Sequence, residues 1–531
     1  MKLLRSTLLF TAMTLLSRIS GFARDMLQAT LFGTGGAMSA FIVAYRIPNF
    51  LRRVFAEGSM AMAFVPVLNE IRERRDPAAL HDFIDHMAGS LAAVVFVVAG
   101  IGMLAAPLIA AVFTPGTLDE PEKFALTAEM LRITFPYLVF ISLMALCASV
   151  LNSFGKFGLA AFTPVLHNLT VIAAMLLLAP HMEVPPKALA WGVLVAGFLQ
   201  LALLWPALAR LGLRPRFKLG FQHADVRRVG RLMIPTLFSS SVAQVNLLVG
   251  TVFASLLADG SQDWLYYSDR LIEFPLGLFG VAIGTVILPH LSRRFAAQDH
   301  AGYSQSLDWG LRLVLLVGWP AGLGLMFLAE PITATVYNYG RFTGHDTQMA
   351  AWSLTAMSIG VPAFMASKVL LPAFYARQDT KTPMRAALWT VAANVGLTVA
   401  IVTPLALNHT VGGHAGIAFA TGIAGLVNAL WLFVALRRQQ IFTAQPGWLL
   451  YLLKLLLAGA AMVTTLLTLR LHIGDWSALH ALQRVLWLVT AVTAGAASYA
   501  VVLLATGFAP QSFSRPLSRD SMSASLYSVA P

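Results

Sequence analysis

The stretch Ser17–Pro66, SRISGFARDMLQATLFGTGGAMSAFIVAYRIPNFLRRVFAEGSMAMAFVP, decides how the rest of the chain is read. Most of it is apolar enough to lie in a bilayer. Yet it carries Arg18, Arg24, Asp25, Arg46, Arg52, Arg53 and Glu57. A charge near the bilayer centre costs about 3 kcal/mol even on lenient insertion scales, so seven in one stretch call for a structural or functional reason.

Working outward, 58% of the 531 residues are hydrophobic and 11% are charged. An average soluble domain carries about 25% charged residues, so the composition specifies an all-α polytopic membrane protein. The formal net charge of +13 is what cytoplasmic loops of such proteins collect, and it does not argue for nucleic acid as a partner. A single cysteine, Cys147, excludes a disulfide framework or a cysteine-based metal site. Lys2 and Arg5 precede an apolar run as in a signal peptide. Arg18 and Arg24 interrupt that run and no small-residue cleavage site follows, so a retained first span is expected.

Apolar runs bounded by charge, Gly or Pro give fourteen expected spans: 5–31, 37–69, 80–113, 123–151, 159–180, 187–210, 226–258, 264–293, 303–338, 347–377, 384–407, 413–436, 447–471 and 480–507. Basic residues collect after the even-numbered spans, as at Arg72/Arg74/Arg75, Arg214/Arg216/Lys218, Arg293/Arg294 and Arg437/Arg438. The alternate loops, among them GTGGA, TPGTLDEPEK and ADGSQDW, are neutral, acidic or weakly basic, so both termini are expected in the cytoplasm. Arg470 and Arg484, which flank the loop after span 13, are the exception. Residues 509–531 are Ser-rich and are expected to form a disordered cytoplasmic tail.

A weak repeat runs through the chain. ATLFGTGGAMSAFIVAYRIPNF from Ala29 resembles ASLLADGSQDWLYYSDRLIEFP from Ala254; Pro66 pairs with Pro289, and Pro136 with Pro362. A six-span unit therefore occurs twice, with a pseudo-two-fold axis along the membrane normal. The expected division is an N-lobe at 1–220, a C-lobe at 221–440, a helix pair at 441–508 and the tail. Transporters built from such repeats place the substrate between the halves, near mid-membrane.

Charge placement then points to chemistry. Arg18 and Asp25 are seven residues apart on one face of span 1, with Arg24 adjacent. Arg52 follows Pro48, a candidate hinge, and Arg53 is placed to pair with Glu57 at i+4. Asp269, Arg270 and Glu273 cluster in span 8. Arg53 with Glu57, and Arg270 with Glu273, also have a plain structural reading as neutral pairs that lock helices. Arg18, Arg24 and Arg52 outnumber the nearby carboxylates and lie deep, which points to an anionic ligand; guanidinium forks suit phosphate oxygens. Within a membrane, that means a lipid-linked phosphate. No HExxH, GxSxG, Walker loop or CxxC supports an enzyme, and no metal site is expected, since none of the twelve histidines shows an i+4 ligand partner. Asn168-Leu-Thr and Asn408-His-Thr match the three-residue glycosylation pattern, which is a weak signal.

SRISGFARD, ATLFGTGGAMSAFIVAYRIPNFLRRVFAEG, AFVPVLNE, YYSDRLIEFPLGLFGVAIGTVILP, FYARQDTKTP and QPGW resemble, nearly end to end, the MurJ (MviN) family of bacterial lipid II flippases. That family lies in the multidrug/oligosaccharidyl-lipid/polysaccharide exporter superfamily. The resemblance implies fourteen transmembrane helices in a MATE-like arrangement: two six-helix lobes with a cationic central cavity, plus two C-terminal helices lining a groove for the undecaprenyl tail. It implies that Arg18, Arg24, Arg52 and Arg270 bind pyrophosphate, and that Asp25 and Glu57 serve gating or positioning; Ser39, Arg46, Arg53, Asp269 and Glu273 are further gating or positioning candidates from their place in the sequence. Many relatives carry an acid at position 39 and Lys at 46, and some hold sodium with carboxylates in spans 7 and 11. Residues 226–258 and 384–407 contain no Asp or Glu, which speaks against a sodium site.

By the same resemblance, no cofactor is needed and the membrane potential or an ion supplies the drive. Lipid II and membrane lipids are the molecules met, with cell-wall synthesis and division proteins as candidate partners. The protein is expected to be a monomer of the bacterial inner membrane. The alternative within transport is a cation-coupled multidrug exporter, or another lipid-linked oligosaccharide exporter of the superfamily.

Overall fold

A computed structural model describes residues 2–52, 60–407, 412–474, 476 and 478–508. Arg53, Glu57, Asn408 and the tail lie outside the described residues. Among those described, all regular structure is helical. Helices satisfy every backbone donor and acceptor within the segment, which hydrocarbon demands.

The chain forms two compact units: Met1–Asp263 with Tyr339–Thr343, and Trp264–Asn338 with Gly344–Pro531. The first holds α1 (Lys2–Phe32), α2 (Gly36–Arg52), α3 (Met60–Arg74), α4 (Pro77–Leu104), α5 (Ala106–Phe113), α6 (Pro121–Thr134), α7 (Tyr137–Ser153), α8 (Phe157–Leu177), α9 (Lys187–Arg210) and α10 (Ala224–Ser255). Here α1 packs along α8, α2 along α6, and α9 against both α7 and α8. Phe64, Phe83, Leu143, Val150 and Val229 centre a core shared by α3, α4, α7 and α10. Compactness thus groups α10 with the first six spans. Segment 339–343 closes on the end of α1, where the Arg341 N–H donates to the Thr30 carbonyl at 2.9 Å. Gly33 has φ of +65° there, and a Cβ would stand 2.6 Å from the Arg341 oxygen, so a side chain is excluded twice over.

The second unit holds α11 (Ser261–Pro275, from Trp264 on), α12 (Val281–Ala296), α13 (His300–Phe327), α14 (Ala329–Tyr337), α15 (Gly344–Ser358), α16 (Val361–Tyr375), α17 (Lys381–Leu407), α18 (Gly413–Arg438), α19 (Trp448–Ile473) and α20 (Ala481–Ala505). A π-turn at Leu276–Gly280 joins α11 to α12 just after Pro275, which has no N–H to give to the ladder.

The repeat is visible element by element. Both α4 and α13 have 28 residues and start on an aspartate cap, with Asp76 accepting from Ala79 N and Asp299 from Gly302 N. Each is followed by a short helix, α5 or α14. The next span is broken near a proline in both units: α6 gives way to α7 at Pro136, and α15 to α16 beside Pro362, where the axes bend by 46°. Pro48 makes no such break, and α2 runs on to Arg52.

Nine helical stretches among the described residues are long and apolar enough to cross a membrane, ten with the bent α15–α16 pair. The other four expected spans, 5–31, 37–69, 226–258 and 264–293, fall on α1, on α2 with α3, on α10, and on α11 with α12. The fourteen-span reading is consistent with this, and most of the intramembrane charge rides on those four.

The C-terminal pair α19–α20 docks on α13 through Tyr451, Leu455, Met462, Tyr499 and Leu503. A polar lock sits at the end of that seam. Asp308, 3% exposed, accepts from Arg312 Nε at 2.7 Å, Trp448 Nε1 at 2.6 Å and Gln445 N at 3.0 Å. Arg312 in turn lies over the Trp448 and Tyr451 rings. Removing the carboxylate leaves a half-buried guanidinium with backbone carbonyls of Gln445 and Pro446 but no counter-charge there. Asp308→Ala is therefore expected to cost about 3 kcal/mol, read as a lowered thermal midpoint in detergent and faster proteolysis between α18 and α19.

Candidate functional site

The charges of the opening stretch find partners inside the first unit. Arg24, on α1, donates through Nε and Nη2 to Asp25 Oδ1 at 3.1 and 2.7 Å, and through Nη1 to Asn168 Oδ1 on α8 at 3.1 Å. Asn168 Nδ2 donates back to the Ser17 carbonyl and to Ser20 Oγ, each at 3.1 Å. Gly21 permits this closeness, since a Cβ there would stand 3.3 Å from the Asn168 amide nitrogen. An apolar setting makes each charge-assisted bond strong and each missing partner costly. Asn168 is thus an interior residue, which removes the glycosylation reading.

Arg52 ends α2, and its Nε donates to Asn49 Oδ1 at 2.8 Å. His167, next to the Arg24 partner Asn168 on α8, stacks on Tyr45 of α2 with ring centroids 6.4 Å apart, so the helix that carries Arg52 passes close to the one that holds Arg24. His167 is 7% exposed, lies between the rings of Tyr45 and Tyr137, and has no hydrogen-bond partner on either nitrogen. Sequence reasoning passed over His167 and met Asn168 only as a glycosylation pattern; their signal was a polar pair in mid-span. Arg18 is exposed on α1, whereas Asp25, two turns on, is buried.

Arg46 is buried rather than snorkelling, and its Nη1 donates to Thr251 Oγ1 on α10 at 2.9 Å. Ser39 has a carboxylate beside it after all. Asp263, fully buried, accepts from Ser39 Oγ at 3.0 Å through Oδ1 and from Gly35 N at 2.7 Å through Oδ2. It caps the start of α2 and complements the helix dipole there. The sequence had offered Asp263 as a loop acid.

In the second unit, Arg270 donates to Glu273 Oε2 at 2.8 Å and lies 4.9 Å over the Tyr266 ring. Asp269, beside it, is half-buried. The pair lies within one helix, with the Glu273 side chain 55% exposed.

One reading of the histidines needs correction. Asp82 and His86 do stand at i and i+4 on α4, and the fold adds His223 to them. The cue is a D-x-x-x-H at the start of a helix. A separate cavity of about 900 Å³ in the first unit, lined by Gly36, Lys123, Glu129 and Lys187 among others, does not include Arg24 or Arg52.

Fold and site together define a polytopic helical membrane protein of repeated units with a cationic, polar interior at α1, α2 and α8. Residues 28–486 match the family model described as lipid II flippase MurJ. A probable lipid II flippase MurJ of Vibrio cholerae is 40% identical, with 95% of this chain and 96% of that one covered. The lipid II flippase MurJ of Burkholderia cenocepacia is also 40% identical, over 96% and 98%. Among solved structures, a lipid II flippase MurJ in an inward closed conformation superposes with a TM-score of 0.77 at 27% identity, over 93% of this chain and 98% of that one. An inward-facing multidrug resistance MATE family transporter of the MOP superfamily shares the fold, with a TM-score of 0.65 at 11% identity, over 82% and 99%. The chain belongs to the lipid II flippase MurJ family.

The Asp263 cap gives a test of the local physics. Asp263→Ala leaves Gly35 N–H and the Ser39 hydroxyl without their acceptor and is expected to cost about 2 kcal/mol, seen in thermal unfolding. S39D alone sets two buried carboxylates against each other and destabilises at neutral pH. The exchange S39D/D263S is expected to recover most of that loss.

Proposed function

We propose that this protein flips lipid II, the undecaprenyl-pyrophosphate-linked disaccharide pentapeptide, from the cytoplasmic to the outer leaflet of the bacterial inner membrane by alternating access. The carrying observation is that Arg24 and Arg52 both lie within one apolar unit, Arg24 held by Asp25 and Asn168 and Arg52 by Asn49. Family membership supplies the substrate class, and the guanidinium pair supplies the chemistry.

A pyrophosphate entering this neighbourhood competes with Asp25 for the Arg24 fork. Bidentate guanidinium–phosphate bonds are strong enough in a poorly solvated site to make that exchange favourable. Asn168 keeps Arg24 tied to α8 while the acceptor changes, so the ligand's arrival is felt along the α1–α8 seam. The prenyl tail stays in lipid, where each methylene is worth about 0.8 kcal/mol, and so never has to cross a polar region. An inside-negative potential favours outward passage of the anionic head group by about 2.3 kcal/mol per elementary charge per 100 mV. The protein is read as no enzyme: what crosses is unchanged.

The multidrug-exporter reading has the shared fold in its favour. It is the weaker of the two, because sites for cationic drugs need net acid, and here the arginines outnumber the carboxylates.

Arg24→Ala and Arg52→Ala are each expected to lower the appearance of lipid II on the outer leaflet at least tenfold, in cells lacking another flippase, while the purified variants keep a cooperative thermal transition. Arg24→Lys, which keeps the charge and loses the fork, is expected to fall between. Normal flipping by either alanine variant would overturn the proposal.

A further inference from the structure

The segment between α9 and α10, residues 212–223, does not hang free. Its backbone docks on the start of α4: Arg216 N donates to Asp85 Oδ1 at 2.7 Å, Lys218 N to the Asp85 carbonyl at 3.2 Å, and Gly220 N to Ser90 Oγ at 3.0 Å. Gly220 lies so close to His86 that a Cβ would stand 2.6 Å from the histidine's own Cβ, so the turn is shaped around that ring. The docking delivers His223 beside His86, their rings stacked with centroids 5.0 Å apart and planes at 24°.

Asp82 lies beside the stacked pair, within reach of one nitrogen of each ring. Its Oδ2 lies 3.3 Å from His86 Nδ1 and 3.4 Å from His223 Nε2. Adjacent donors around a tetrahedral zinc with bonds of about 2.1 Å are about 3.4 Å apart, so two of the three spacings already fit. One donor atom from each of the three residues falls within 4.8 Å of the others, which leaves a small side-chain rotation to close the third. His223 Nδ1 is buried with no hydrogen-bond partner, so no second bond commits that ring to a structural role. His86 Nδ1 also lies 2.8 Å from the Asp82 carbonyl, a contact exchanged on metal binding.

We propose that Asp82, His86 and His223 form a site for a borderline divalent transition cation, zinc foremost, that staples the α9–α10 connection to α4. Two imidazoles and one carboxylate, with water in the fourth position, are a donor set suited to Zn²⁺ and Co²⁺ and poorly suited to Mg²⁺ or Ca²⁺. Lys218 is the competitor: its ammonium lies 3.5 Å from Asp82 Oδ1 and 3.1 Å from Asp85 Oδ2. The metal therefore needs Lys218 to stay with Asp85, which is the shorter contact. Because α10 follows His223 at once and is itself held by Arg228–Glu70 and Arg75–Asp225 pairs, the staple sets how freely the chain enters α10.

The site is independent of what the protein transports, and its test needs no lipid substrate. The full chain, purified in detergent with a tag that contains no histidine run, is titrated with Zn²⁺ by calorimetry and with Co²⁺ by visible absorption. One equivalent is expected, with a raised thermal midpoint and slower proteolysis within 212–223. H86Q and H223Q are each expected to weaken binding at least tenfold, and K218M to tighten it. D82N serves where a histidine variant loses its metal-free thermal transition. Absence of stoichiometric binding would overturn the proposal, as would unchanged binding in H86Q, H223Q and D82N, which would mean adventitious capture by the chain's other histidines.

Discussion

A guanidinium inside an apolar helix bundle must be given partners, and Arg24 shows how this chain meets the demand. One partner, Asp25, is its neighbour in sequence and neutralises it; the other, Asn168, lies on another helix and fixes it in place. The carboxamide then uses its own donors on Ser17 and Ser20, so nothing polar in the knot is wasted. The packing of α1 on α8 follows from this as much as from apolar area, since lipid tails compete for apolar surface nearly as well as another helix does.

Polar locks of the same kind recur wherever a long-range contact matters. Asp263 caps α2 and holds Ser39, Thr251 receives Arg46, and Asp308 fastens the C-terminal pair to α13. Glycines do the complementary work. Gly360 comes so near Gly422 that a Cβ would stand 2.7 Å from its Cα, letting α16 start against the backbone of α18. Small residues where helices cross and hydrogen bonds where charges sit replace the hydrophobic drive that water gives a soluble core.

That economy shapes function. On the function proposed above, arginines already held by protein groups would be stable with no anion bound and exchangeable when one arrives. His167, buried next to Asn168 and stacked on Tyr45 with no hydrogen-bond partner on either nitrogen, adds a polar ring there without adding carboxylate. The balance of charge stays positive, as an anionic head group requires.

Much of this was legible in the sequence. Hydropathy gave the membrane and most of the spans, and the matching stretches at Ala29 and Ala254 with their paired prolines gave the repeat, because each is a local property that adds up along the chain. The opening stretch likewise declared its arginines as something to be explained. The sequence did not name their partners. Asn168 stands 144 residues from Arg24, Thr251 stands 205 from Arg46, and Asp263 stands 224 from Ser39. An acid expected at position 39 turned out to be supplied from the start of α11, and two histidines read as scattered came together on one aspartate. Hydropathy is a sum along one dimension. Which polar groups meet depends on the rotation and depth of each helix against its neighbours, and only the folded chain sets those.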